Sequence, residues 1–190
     1  MARPEGSVLA RDVPCRGIDV FHESASERAE AGTRDQMDLS DLISRDGVIA
    51  SLKAKSKKQA LQELAAKAAE LTGAETREIF DTLLQRERLG STAVGRGIAI
   101  PHGRLAGLQA IVCLFARLDQ PIEFDAPDDE PVDLIFVLLA PEHAGADHLK
   151  ALARISRLLR EPSTIDKLRA SRDKTALYAV LTEPMASHAA

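Results

Sequence analysis

Across its 190 residues the chain carries a formal charge of −4, and only 3% of its residues are aromatic, with no Trp. That balance argues against a nucleic-acid binder, which gathers Lys and Arg on a basic domain, and it implies a core of Leu, Ile, Val and Ala. The two cysteines, Cys15 and Cys113, support neither a disulfide framework nor a zinc site. No run approaches the roughly 18 apolar residues of a membrane span, and the start of the chain lacks the continuous apolar core of a signal peptide. A reduced, cytoplasmic protein without membrane insertion is expected.

Residues 1–36 are rich in Arg, Glu, Pro, Gly and Ser, with no sustained apolar period; they read as a flexible, dispensable extension ahead of Met37. From Met37 the pattern is regular, and residues 37–190 suffice for one domain with a real core. Leu39, Leu42 and Ile43, then Val48-Ile49-Ala50, predict an opening turn and a short strand. Ser56-Lys57-Lys58-Gln59 has capping-box spacing. It opens a helix with Leu61, Leu64, Ala65, Ala68 and Leu71 on one face and Gly73 as its stop. A second helix is predicted over Glu75–Arg88, ending at Gly90, with Ile79, Phe80, Leu83 and Leu84 inward.

Three strands follow, over Gly97–Ile100, Ala110–Leu118 and Pro131–Leu139; the last is nearly all apolar, as in a strand covered on both faces. Cys113 falls within the second and reads as a small core residue. Asp119-Gln120-Pro121 and Ala126-Pro127-Asp128-Asp129 read as turns. A third long helix is predicted over Ala146–Leu159, with Leu149, Leu152, Ile155 and Leu158 facing inward; Pro162 breaks it, and two short helices fit Ser163–Ala170 and Lys174–Leu181. Helices before and after a central set of strands imply a three-layer α/β/α sandwich with a mixed sheet.

Five histidines occur. His102 follows the apolar run Gly97-Ile98-Ala99-Ile100-Pro101, so it is expected at a strand end, where α/β sheets usually bind ligands. By itself the string is equally compatible with an ordinary loop histidine. His148 falls in the first turn of the third helix, where the dipole favours a neutral ring able to donate one directed hydrogen bond, or where it is simply solvated. His143 reads as a loop residue, and His22 and His188 lie in the tails. Arg86, at the end of the second helix, is either a dipole-matched surface cation or a fork of donors for a phosphoryl group. Ser91 and Thr92 offer hydroxyls nearby. Gly95-Arg96-Gly97 is too incomplete for a nucleotide loop, and the histidines lack paired metal-ligand spacing, so no metal is expected.

The stretch Arg86-Glu87-Arg88-Leu89-Gly90-Ser91-Thr92, leading into Gly97-Ile98-Ala99-Ile100-Pro101-His102-Gly103, resembles the active-site segment of a bacterial enzyme IIA group. That group comprises the fructose, mannitol and nitrogen-regulatory domains of the phosphotransferase system, and the segment is most similar to the nitrogen-regulatory branch. The spacing from Arg86 to His102 also matches, the similarity covers about residues 37–183, and Ala93 departs from the glycine usual in that branch.

The resemblance implies that His102 is the phosphoryl acceptor, that His148 hydrogen-bonds the acceptor or its phosphoryl group, and that Arg86 faces the phosphate. Thr92, Ser91 and the backbone at Gly103 would add phosphate contacts. It further implies a phosphotransferase that is a stoichiometric relay component with no cofactor, fed by a histidine phosphocarrier protein. Its phosphorylation state would regulate targets such as potassium-transport or sensor-kinase components. The alternative is a sugar-transport enzyme IIA that passes phosphate to a separate IIB domain, and a third possibility is a binding module whose site no longer takes phosphate. Because the extension has no apolar period, a chain beginning at Met37 is expected to match the full chain's stability to within about 1 kcal/mol, as read from urea midpoints.

Overall fold

A computed structural model describes residues 39–183, so the expected extension over residues 1–36 lies outside the described residues, as do His22 and His188. Within this span lie six helices and six strands. Helix α1 (Leu39–Leu42) runs directly into strand β1 (Ile43–Leu52), which is longer than the three-residue apolar core that announced it. Helix α2 (Lys57–Thr72) begins where the Ser56 side chain accepts the Gln59 N–H. It ends at Gly73, whose φ of 73° is left-handed and whose N–H bonds Ala69 O. Helix α3 (Thr76–Arg88) follows, then the short strands β2 (Ala93–Gly95), β3 (Ile98–Ala99) and β4 (His102–Leu105). Strands β5 (Val112–Ile122) and β6 (Val132–Pro141) are long, and helices α4 (Gly145–Leu158), α5 (Pro162–Ala170) and α6 (Lys174–Thr182) close the domain.

The sheet runs β1-β5-β6-β3-β2, with β4 also pairing β6. β5 and β6 are antiparallel, whereas β1 pairs β5 and both β3 and β4 pair β6 in parallel. The sheet is therefore mixed, and helices cover both of its faces. On β6 the continuous apolar run splits by parity. Ile135, Val137 and Leu139 pack with Leu61, Leu64, Ile79 and Leu83 of α2 and α3. Leu134, Phe136 and Leu138 pack with Ile155, Leu158, Ile165, Leu168 and Leu177 of α4, α5 and α6. The period-2 pleat sends successive side chains to opposite layers, which explains why the strand is apolar without a break from Leu134 to Ala140.

Three expectations are corrected. Asp119-Gln120-Pro121 does not turn the chain: it is the irregular end of β5, where the register with β6 shifts between Arg117 and Ile122. Pro121 cannot donate to a ladder and is tolerated where pairing lapses. The strand expected over Gly97–Ile100 is the two-residue β3, and after a break at Ile100 and Pro101 His102 opens the further strand β4 rather than lying in a loop beyond a strand end. On α4 the buried positions are His148, Ala151, Ile155 and Leu158, while Leu149 is 65% exposed. Ile155 and Leu158 face inward as expected and Leu152 packs partly buried against the same core, but in the first turn His148, not Leu149, holds the inward position.

Phe136 is fully buried, and its ring meets Phe115 with centroids 4.8 Å apart. Phe136→Ala is expected to cost about 3–5 kcal/mol of unfolding free energy, measured by urea denaturation.

Candidate active site

The chain reaches the site along β3, whose Ile98 and Ala99 pair with Leu134 and Ile135 of β6. Pairing is interrupted at Ile100 and Pro101. Ile100 N turns away to Thr92 O at 2.9 Å, while Pro101 lends only its carbonyl, to Leu138 N at 3.0 Å. β4 then starts with His102 opposite Leu138. The break frees the Ile100 carbonyl, and the His102 side chain folds back onto it, with Nδ1 2.9 Å away.

That contact fixes the tautomer. A carbonyl oxygen only accepts, so Nδ1 carries the proton and Nε2 carries the lone pair. The second contact agrees, because Arg86 Nε donates to His102 Nε2 at 3.1 Å. Burial lowers the pKa of His102, and the Arg86 charge lowers it further, against opposing effects of the Ile100 carbonyl and Glu87. These influences favour the neutral ring, whose Nε2 lone pair points at the Arg86 guanidinium.

His148 approaches from the other layer. Its ring lies edge-on to His102, with centroids 5.7 Å apart and planes at 62°. It is only 5% exposed, which removes the solvated alternative. Burial lowers its pKa, and His102 and Arg104 lower it further. Its Nδ1 is the one buried side-chain polar atom among the described residues with no hydrogen-bond partner. Such an orphan is costly in a core and common where a ligand completes the site.

Arg86 comes from the last turn of α3 and also anchors itself by Nη1 to Gly90 O at 3.0 Å. Its neighbour Glu87, which composition and spacing did not single out, is buried and points the other way. The Glu87 carboxylate accepts the Thr92 N–H at 3.0 and 3.2 Å and the Thr92 hydroxyl at 2.5 Å. It also pairs with Lys57 Nζ at 2.7 Å. Lys57 in turn reaches Asp125 at 2.8 Å and Phe124 O at 3.2 Å, with its ammonium over the Phe124 ring. A carboxylate at a helix C-terminus is opposed by the dipole; here Lys57 and three hydrogen bonds compensate it. The signal for this brace is weak in sequence, since Lys57 and Glu87 are thirty positions apart and each sits among other charges.

The expected hydroxyl donors are therefore spent elsewhere. The Thr92 proton goes to Glu87, and the Ser91 hydroxyl donates to Phe124 O at 2.8 Å. Both fasten the loop rather than face the ring. Gly103 lies in β4 opposite Leu139 and presses against Thr82 of α3. His143 stands outside this constellation, in the turn between β6 and α4. Among the described residues there is no group of three or more His, Cys, Asp or Glu suited to a metal, and no helix is long and apolar enough to cross a membrane.

The arrangement suits group transfer to nitrogen: a half-buried imidazole with a defined lone pair, a planar cation against it and a second imidazole beside it. Comparisons with known proteins point the same way. Residues 41–183 match the family of the phosphoenolpyruvate-dependent sugar phosphotransferase system, EIIA 2. A nitrogen regulatory protein of Bradyrhizobium diazoefficiens is 62% identical over 153 residues, covering 80% of this chain and all of the relative. One from Escherichia coli is 37% identical over 149 residues, covering 77% of this chain and 91% of the relative. The crystal structure of the nitrogen regulatory protein IIA-Ntr from Neisseria meningitidis superposes with a TM-score of 0.71 at 34% identity, over 75% of this chain and 97% of that one. With this fold, this histidine pair and these relatives, the chain belongs to the enzyme IIA family of the phosphotransferase system, in its nitrogen-regulatory branch.

Proposed function

We propose that His102 accepts a phosphoryl group on Nε2 from the phosphohistidine of a small carrier protein, and that the resulting state of the site governs binding to regulatory targets in the cytoplasm. The observation that carries this reading is the pair of hydrogen bonds on the His102 ring. Ile100 O holds the Nδ1 proton and leaves Nε2 as the nucleophile, facing Arg86.

In the transfer, Nε2 attacks phosphorus and forms a new N–P bond, while the donor's N–P bond breaks and its electron pair returns to the donor imidazole. Nδ1 keeps its proton throughout, so the His102 ring gains positive charge as the donor ring loses it. The Ile100 carbonyl stabilises that charge. Arg86 releases the Nε2 lone pair and turns its fork to the phosphoryl oxygens, and His148 supplies a further donor from the opposite side. Transfer between like bonds calls for positioning and charge stabilisation rather than a cofactor. The regulatory role rests on the 62% identical nitrogen regulatory relative, with potassium-transport or sensor-kinase components as the expected kind of target. Passing phosphate to a separate sugar-transport IIB domain is the alternative, and no feature of the site favours it.

His102→Ala is expected to abolish acid-labile, alkali-stable labelling by a phosphorylated carrier. Arg86→Ala should slow labelling on the order of a hundredfold or more, as losing a fixed donor to developing charge does. Arg86→Lys, with charge but no fork, should fall between Arg86→Ala and the unmodified protein. Labelling of the His102→Ala protein at the unmodified rate would overturn the assignment.

The acid limb of stability offers an independent check. Both rings are held below the ordinary histidine value of 6.5, mainly by burial. The folded protein therefore binds fewer protons than the unfolded chain between the folded midpoints and 6.5. Their contribution to stability is complete above pH 6.5 and is lost as pH falls through the folded midpoints. Ring titration by NMR should give midpoints below 6.5 for both, and urea unfolding free energy should decline over the same interval.

A further inference from the structure

The contact between Arg86 and His102 spans two elements, helix α3 and strand β4, and a hydrogen bond of 3.1 Å tolerates little change in their separation. Beside it runs a second contact between the same two elements. Thr82 lies one turn before Arg86 on the same face of α3, and Gly103 follows His102 in β4. A Cβ placed on Gly103 would stand 2.5 Å from Thr82 Cγ2, while the next atom, Thr82 Cβ, is 3.7 Å away. Gly103 is not among the glycines with positive φ. The position is thus a glycine for want of space, not for an unusual backbone, and a single methyl group of Thr82 takes up that space. Threonine is β-branched and divides between two χ1 rotamers in a helix, so the methyl leaves this position only by a full rotamer change, not by a small adjustment.

We propose that Thr82 and Gly103 form a steric spacer that sets the distance between α3 and β4 and thereby positions Arg86 Nε on His102 Nε2. Both act as positioning residues: neither touches the reacting atoms, and their effect passes through Arg86. This inference rests on His102 as the phosphoryl acceptor. Its geometric content concerns the Arg86–His102 bond and is measurable without any transfer.

The test is a compensating pair in the full-length protein. Gly103→Ala forces α3 and β4 apart and should remove the Arg86 hydrogen bond, seen as a shift of the His102 Nε2 resonance in 15N NMR. Phosphoryl uptake should slow on the order of ten- to a hundredfold, the scale of an ångström-size misplacement. Adding Thr82→Ala deletes the methyl and leaves the new Cβ at an ordinary distance from its nearest neighbour, so resonance and rate should both return most of the way. If Gly103→Ala does not fold, Thr82→Ile presses on the glycine from the helix side and should produce the same shift and slowing. A normal resonance in the folded Gly103→Ala or Thr82→Ile protein overturns the spacer, as does failure of the folded double variant to restore it. If instead the resonance follows the spacer through every variant while uptake never changes, the spacer stands and the phosphoryl-acceptor role of His102 fails.

Discussion

The hydrogen bond from His102 Nδ1 to Ile100 O is the constraint around which the site is organised. Either imidazole nitrogen is a competent nucleophile in water, and the choice between them is a matter of a single proton. Here the choice is made two residues upstream, by a carbonyl that ladder pairing would have consumed had the strand continued unbroken. Pro101 supplies the break: it has no N–H, and Ile100 sends its own to Thr92 rather than to β6. A break between two strands thus becomes the device that orients the His102 ring.

Electrostatics follows the same division of labour. Arg86 and Glu87 are adjacent, and an arginine beside a carboxylate would ordinarily be half neutralised. The two side chains diverge instead, and Lys57 takes up Glu87 together with the Thr92 N–H and hydroxyl. No carboxylate pairs with Arg86 among the described residues, so its charge stays available to an incoming anion. A buried ion pair of this kind contributes little net stability by itself, because desolvation offsets attraction. Its value here lies in direction: it holds the loop after α3 and keeps the acid away from the arginine.

Much of the architecture is legible in the sequence because it rests on local period. The all-apolar run of β6, the Ser56 cap, the Gly73 stop and the inward faces of α2 and α3 each depend on residues a few positions apart. The reading fails where a remote partner overrides that period. On α4 the stripe of 149, 152, 155 and 158 holds at Leu152, Ile155 and Leu158 but fails in the first turn, where His148 faces inward beside His102 and Leu149 is left in solvent. Asp119-Gln120-Pro121 has turn chemistry, but β6 holds the chain extended beyond it at Ile122. The triad Arg86, His102 and His148 is recognisable through family resemblance, whereas the bonds of Ser91 and Thr92 are not, since their acceptors Phe124 and Glu87 are chosen by the fold.

The strand order carries a consequence for how the site comes into being. His102 is in register with Leu138, its companion histidine arrives on a helix after β6, and the end of α3 that bears Arg86, with the loop that follows, is fastened to residues before α3 and after β5. The signature from Arg86 to Gly103 is contiguous and contains the hydrogen-bond partners of the His102 ring, but the frame that holds those partners in place lies outside it. An excised peptide of that stretch would keep the motif and lose its geometry, and in the folding chain that geometry depends on the sequence-distant pairing with β6. Local sequence advertises this site, and long-range assembly completes it.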